Sequence, residues 1–298
     1  MSHLGEPAAL GTALCWTATA LFFAEAGLRI GSLVVNVLRL VMALGMLTLV
    51  GWITRGLPWP TDASPHAWLW LSISGVVGFA FGDLCLFRAF VLIGPRLSSL
   101  IMSLAPPIAA VLGFFVLGET LALEHALGMG LTVAGVGWAL ADRTPAGAAT
   151  PGDRRSRAVG VLLAGFGAVG QGGGLVLSKL GMGDYDAFAA TQIRVFAGAV
   201  SFALIFTAIR GWPRVGLALR QTRAMALTGL GAVFGPFLGV SLSLLAVQHT
   251  QAGIAASIMA IYPVMLIPVV VLLGRERVGL RGVLGTVLAV LGVVLLVR

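Results

Sequence analysis

Lysine is almost missing from this 298-residue chain: Lys179 stands alone beside eighteen arginines. Charge of either sign is scarce, at 10% of residues, where soluble domains carry about 25%. With 58% hydrophobic residues and a mean hydropathy of +1.02, the chain cannot furnish a water-facing surface. Cysteine is limited to Cys15 and Cys85, both inside apolar runs and without disulfide or metal spacing, so they read as small hydrophobes. The four histidines (His3, His66, His125 and His249) fall in loops or at segment ends. Neither His-Glu-x-x-His nor Gly-x-Ser-x-Gly occurs, which leaves an intramembrane enzyme without a recognisable catalytic set. Alternating segments of about 10 residues are missing too, and with them the pattern of a membrane β-barrel. Met1 to Pro7 holds no Lys or Arg and the next apolar run is too long for a signal peptide, so that run is expected to be a membrane helix.

What remains is a chain of apolar runs close to the ~20 residues needed to cross about 30 Å of hydrocarbon. Five lie at 8–28, 33–53, 67–92, 97–117 and 122–141, and five more at 158–180, 187–209, 224–247, 251–273 and 278–297. The Pro, Gly and charge content of 143–157 marks a linker between the two sets. The predicted fold is therefore all-α: ten transmembrane helices, with a first half over 1–142 and a second over 158–298. The net charge of +8 and pI of 11.1 belong to arginines at segment ends, where they set orientation and meet lipid headgroups; nucleic acid is not an expected partner.

The two halves repeat one another. Ile101-Met102-Ser103-Leu104-Ala105-Pro106-Pro107 returns 157 residues later as Ile258-Met259-Ala260-Ile261-Tyr262-Pro263-Val264. The same offset pairs Gly78 with Gly235, Gly82 with Gly239, Gly128 with Gly285 and Gly135 with Gly292. An odd number of crossings per half inverts the second copy, and inverted repeats place a substrate site near the midplane between the halves. Glycines along the third, fifth, eighth and tenth segments read as packing seams.

The arginine early in the second helix of each half (Arg39, Arg194), the proline within the fourth (Pro106, Pro263) and the Gly-Glu that ends it (Gly118-Glu119; Gly274-Arg275-Glu276) form a pattern. With the glycine-rich fifth helices, it resembles the drug/metabolite transporter superfamily, in particular its EamA-type ten-helix members. That resemblance implies a carrier for small metabolites, often an exporter of amino acids or related compounds, in a bacterial-type inner (plasma) membrane. Expected partners are a small-molecule substrate, the lipid bilayer and, through Asp83 or Glu25, protons. No cofactor or metal is expected, and both a monomer and a homodimer satisfy the pattern. A channel or lipid flippase is the alternative within transport. Thirteen arginines on alternate loops would put both termini outside by the positive-inside rule, whereas the resemblance puts them inside.

Ionisable groups within the hydrocarbon face protein or a water-filled cavity. Asp83, past the middle of the third segment, is the leading candidate: it binds a cationic group or a proton, or it pairs with an arginine. Arg88, five residues on and about 140° around the helix, faces elsewhere, as an interface anchor or, with Glu25 and Lys179, as a coupling or gating group. Arg39 and Arg194 either tie down their halves or contact an anion. Gln171 precedes Gly172-Gly173-Gly174, which marks either a broken helix exposing backbone groups or close packing. Trp16, Phe237 and Tyr262 are expected to line the cavity, Tyr262 with a partner for its hydroxyl. Glu25 and Arg29 share a helix face and should pair. Glu25 also aligns with Lys179, an opposition of charge that suits either gates or helix-end anchors.

Overall fold

A computed structural model describes residues 4–118, 123–140, 154–249, 255, 258–273 and 279–295. Every regular element among them is helical: α1 (Gly5–Ile30), α2 (Ser32–Arg55), α3 (Pro65–Ile93), α4 (Pro95–Leu117), α5 (Leu123–Leu140), α6 (Arg154–Met182), α7 (Ala187–Ala208), α8 (Thr222–His249), α9 (Tyr262–Leu272) and α10 (Leu280–Leu295). A short helix, Trp212–Ala218, connects α7 to α8. Of the ten, α1–α4 and α6–α8 are long and apolar enough to cross a membrane, seven spans among the described residues. A helix satisfies its backbone donors and acceptors internally, which hydrocarbon demands.

Turn chemistry sets the tight connections. One residue with positive φ, Gly31 (φ 85°), separates α1 from α2, and Gly94 (φ 82°) separates α3 from α4. A side chain would be strained in that conformation. Ser64 caps α3 by accepting from the Ala67 N–H at 3.1 Å, with Pro65 at the first helical position; Asp186 caps α7 from the Ala189 N–H at 2.8 Å.

Two expectations change. Residues 143–153 of the anticipated linker lie outside the described residues, but Arg154 to Arg157 belong to α6, because no breaker separates them from the apolar run that follows. The helix is also unbroken through Gln171 to Gly174. Those glycines serve packing: a Cβ on Gly172 would sit 2.8 Å from the Ala105 carbonyl oxygen, and one on Gly174 3.1 Å from the Gly78 Cα. Glu119 and Gly274-Arg275-Glu276 lie outside the described residues.

The glycine seams join one half to the other. A Cβ on Gly135 of α5 would come within 2.3 Å of the Ala289 N of α10, and one on Gly292 of α10 within 2.3 Å of the Thr132 N of α5. Ser74 of α3 donates to the Gly174 carbonyl of α6 at 2.7 Å, while Thr12 of α1 reaches the Gly239 carbonyl of α8 at 3.3 Å. Small residues permit such backbone approach, the usual means of holding membrane helices together. The outer faces carry exposed Ile53, Phe115, Leu162, Leu204 and Leu272, an apolar surface suited to lipid.

A π-helical stretch interrupts α3 at Val76–Gly82, and an equivalent one interrupts α8 at Val233–Gly239, offset by the same 157 residues. Pro236 lies in the second, but Phe79 holds its place in the first, so proline is not the common cause. The shared residues are Gly78/Gly235 and Gly82/Gly239, which let the widened turn pack closely. Each π turn re-aims the side chains beyond it, and Asp83 follows directly after the first.

Candidate functional site

A cavity of about 130 Å3 lies between the halves, walled by α1–α4, α6–α8 and the Met259–Tyr262 stretch that leads into α9. It is equivalent to roughly ten water positions, at about 10–15 Å3 each. The helices α5 and α10 pack on each other outside it.

Most of the wall is apolar, but one polar cluster projects into it. Asp83 accepts from the Arg39 Nη2 on Oδ2 at 2.5 Å and from the Gln171 Nε2 on Oδ1 at 2.6 Å. Arg39 also donates from Nε to the Asn36 Oδ1 at 3.0 Å, and Asn36 is held by its own bond to the Ser32 carbonyl. The Arg39 guanidinium lies 4.6 Å from the Phe87 ring centroid and 5.5 Å from those of Phe23 and Phe79. Aromatic faces attract a desolvated cation, so this cage offsets part of the cost of burying it. Arg194 also lines the cavity, 5.3 Å from the Phe79 centroid, and its charge acts on Asp83 without an ion pair between them.

The candidates from sequence thus divide. Trp16, Asp83, Gln171, Tyr262, Arg39 and Arg194 all line the cavity. Tyr262 donates to the Ser99 carbonyl at 3.1 Å and meets Trp16 edge-on, with centroids 5.8 Å apart. Phe237 does not line it: it packs edge-on against Phe188 of α7, because the π turn of α8 presents Gly235, Pro236 and Val240 to the cavity instead. Arg88 is exposed, with Asp83 buried on another face. Glu25 accepts from Arg29 at 2.7 Å near the end of α1. Neither Glu25, Lys179 nor Arg88 reaches the cavity. The phenylalanine cage went unread in the sequence; Phe79 and Phe87 at positions −4 and +4 from Asp83 were the available signal, since that spacing keeps side chains on one helix face where the helix is regular.

A second polar group ties the halves together away from the cavity. Arg55, at the end of α2, is ion-paired to Asp62, and Tyr185 donates to the Asp62 Oδ1 at 2.8 Å. The Arg55 guanidinium stands 5.3 Å from the Tyr185 ring centroid. Partial desolvation of Asp62 is outweighed by the Tyr185 hydrogen bond and the Arg55 charge, which hold the carboxyl below its usual range. Partial burial, followed by the bond to Asp62, pushes the Tyr185 phenol up to about 12. Unfolded tyrosine titrates near 10. The folded chain therefore keeps a proton that the unfolded chain releases, so this contribution is full below about pH 10 and declines as pH rises toward about 12. Tyr185→Phe is expected to flatten that decline in unfolding experiments at alkaline pH; an unchanged slope would show that the fold does not hold the Tyr185 phenol protonated.

Among the described residues no three His, Cys, Asp or Glu side chains gather as a metal site. Seven described helices long and apolar enough to span a membrane, with apolar outer faces and a polar cluster enclosed between the halves, mark a multi-pass membrane protein. The chain belongs to the EamA-like transporter family, which it matches twice, over residues 3–141 and 158–298. A solved chain described as "Crystal structure of protein" shares the fold: its TM-score is 0.65 at 18% identity, covering 99% of this chain and 96% of that one. Among curated proteins, no sequence matches.

Proposed function

We propose that the protein is a secondary transporter that carries a small metabolite, an amino acid or related compound, outward across a bacterial-type inner membrane by alternating access. The observation carrying this reading is the cavity whose walls come from both halves, with charged side chains inside and lipid-compatible side chains outside. In this proposal the chain crosses the membrane ten times, as two inverted five-helix repeats over 1–142 and 158–298. Rocking of one half against the other opens the cavity to each side in turn.

Within the same reading, Trp16 and Tyr262 contact substrate, and the Asp83–Arg39–Gln171 cluster changes partners during the cycle. The Arg55–Asp62–Tyr185 group closes one end while the opposite end is open. Proton linkage would run through Asp83, whose two oxygens are already engaged by Arg39 and Gln171, so uptake of a proton requires those bonds to break.

Proteoliposomes preloaded with unlabelled amino acids and related acids provide the test. Saturable accumulation of labelled external compound by counterflow is expected. A non-saturating conductance without counterflow would sink the carrier reading and favour a channel.

A further inference from the structure

We infer that the cavity is built for a small organic monoanion, whose carboxylate docks on Arg194 while its apolar body rests against Trp16, Phe87 and Tyr262. This rests on the reading of the cavity as the substrate site, and it narrows the class of substrate.

The inference starts from an imbalance. Among the described residues, two arginines and one carboxylate line the cavity, Arg39, Arg194 and Asp83, so these side chains carry a net charge of +1 by that count. Asp83 is spoken for on both oxygens, by Arg39 and by Gln171. Arg194 has no such partner. It is buried, with 4% of its surface exposed, yet its Nε finds no hydrogen-bond acceptor. The ion pairs among the described residues are Glu25–Arg29, Arg39–Asp83 and Arg55–Asp62, and none includes Arg194. Its guanidinium is instead held by the Phe79 ring and by the open face of Gly78, where a Cβ would sit 3.2 Å from Nη2.

A buried guanidinium without a carboxylate partner is costly, and a carboxylate reaching its Nη atoms from the cavity supplies the missing charge, because the planar end of the guanidinium matches two carboxylate oxygens. One negative charge completes the cluster. An ammonium group finds the reverse situation: among the described residues Asp83 is the one acidic side chain on the cavity wall, and an amine must displace Arg39 or Gln171 to reach it. The remaining wall, with Leu86, Met102 and the aromatic pair Trp16–Tyr262, suits an aliphatic or aryl chain. Of the compounds related to amino acids, the site thus favours carboxylates without a free ammonium over the zwitterionic amino acids themselves.

The test uses the purified full-length protein and straight-chain and arylalkyl monocarboxylates of two to ten carbons, each beside its amide and its amine. Inorganic phosphate and free phenylalanine complete the set. Thermal stabilisation is expected from carboxylates of matching length, with at least about tenfold weaker binding for the amide and amine of the same body. Arg194→Gln should erase the preference, whereas Arg194→Lys should keep its direction at lower affinity. Equal binding of acid and amide by the wild-type protein, or a preference for the amine, overturns the proposal without recourse to any variant. Phosphate binding as tightly as the carboxylates would also overturn it, since the apolar body would then contribute nothing. Carboxylate binding without counterflow would leave the anion site standing and remove the carrier reading. Saturable flux of amines or neutral compounds with no carboxylate binding would do the opposite.

Discussion

Asp83→Leu is expected to destabilise the protein by roughly 3–5 kcal/mol, the usual consequence of removing one member of a buried ion pair. The size of the effect follows from what is left behind. Arg39, with 3% of its surface exposed, would keep only Asn36 and the phenylalanine rings, while Arg194 already lacks an acceptor at Nε. Two like charges would then share one cavity with no carboxylate between them. Arg39→Met on its own should cost less, because Asp83 retains Gln171 and stands near Arg194. The double variant should recover part of the Asp83→Leu loss, giving a coupling energy of the kind seen for residues in one network. Unfolding of the four proteins in detergent measures it; strictly additive losses would mean that the Asp83–Arg39 pair contributes nothing. Asp83→Asn is the gentler change. It should abolish pH-driven flux while substrate exchange persists, and unchanged pH dependence would remove Asp83 from any coupling role.

The second large effect is steric. A Cβ on Gly75 would lie 2.2 Å from the carbonyl oxygen of Arg194 and 2.9 Å from its carbonyl carbon. Both atoms are backbone, so no side-chain rotation relieves the clash, and α3 and α7 must separate. Gly75→Ala should therefore cost about 1–3 kcal/mol as overpacking, or more if the helices cannot shift. It should also weaken ligand binding without touching a ligand-contacting side chain, because moving the α7 backbone moves the Arg194 guanidinium. Gly45→Ala is the matched control. Gly45 lies within α2 with nothing within 4 Å of the added methyl, so the substitution should stabilise by about 0.5–1 kcal/mol through backbone entropy alone. The same chemical change is thus expected to have opposite signs at two helical glycines. Equal effects at both would refute the close approach of α3 to Arg194.

Much of the architecture was legible in the residue order. Where both ends of a segment are described, as for α1 to α3, they lie within a few residues of the apolar run, because runs of membrane length are interrupted by few and recognisable breakers, such as Gly31 and Gly94. The 157-residue repeat paired the glycines of the two π turns without marking any interruption there: the equivalent positions in α3 and α8 hold Phe79 and Pro236, and hydrogen-bond register is a property of the packed helix. Gln171 was legible as a mid-membrane polar group but its glycines were ambiguous. Three successive glycines destabilise an isolated helix, yet they also permit the contact with Ala105 and Gly78 that keeps α6 whole.

Composition and periodicity by themselves determined that this chain is a helical membrane protein with duplicated halves, because hydrocarbon permits few ways to satisfy a backbone and repetition survives in plain residue identity. They also singled out the intramembrane charges Asp83, Arg39 and Arg194. Only the tertiary structure decided how those three divide their interactions. Arg39 and Arg194 occupy equivalent places in the repeat, and symmetry treats them alike. A single carboxylate in one half cannot satisfy both: Asp83 binds Arg39 and Gln171, leaving Arg194 facing the cavity without an acceptor at Nε. Pairing depends on distance and direction in three dimensions, and the asymmetry between these two arginines is what turns a symmetric scaffold into a site with a preferred charge.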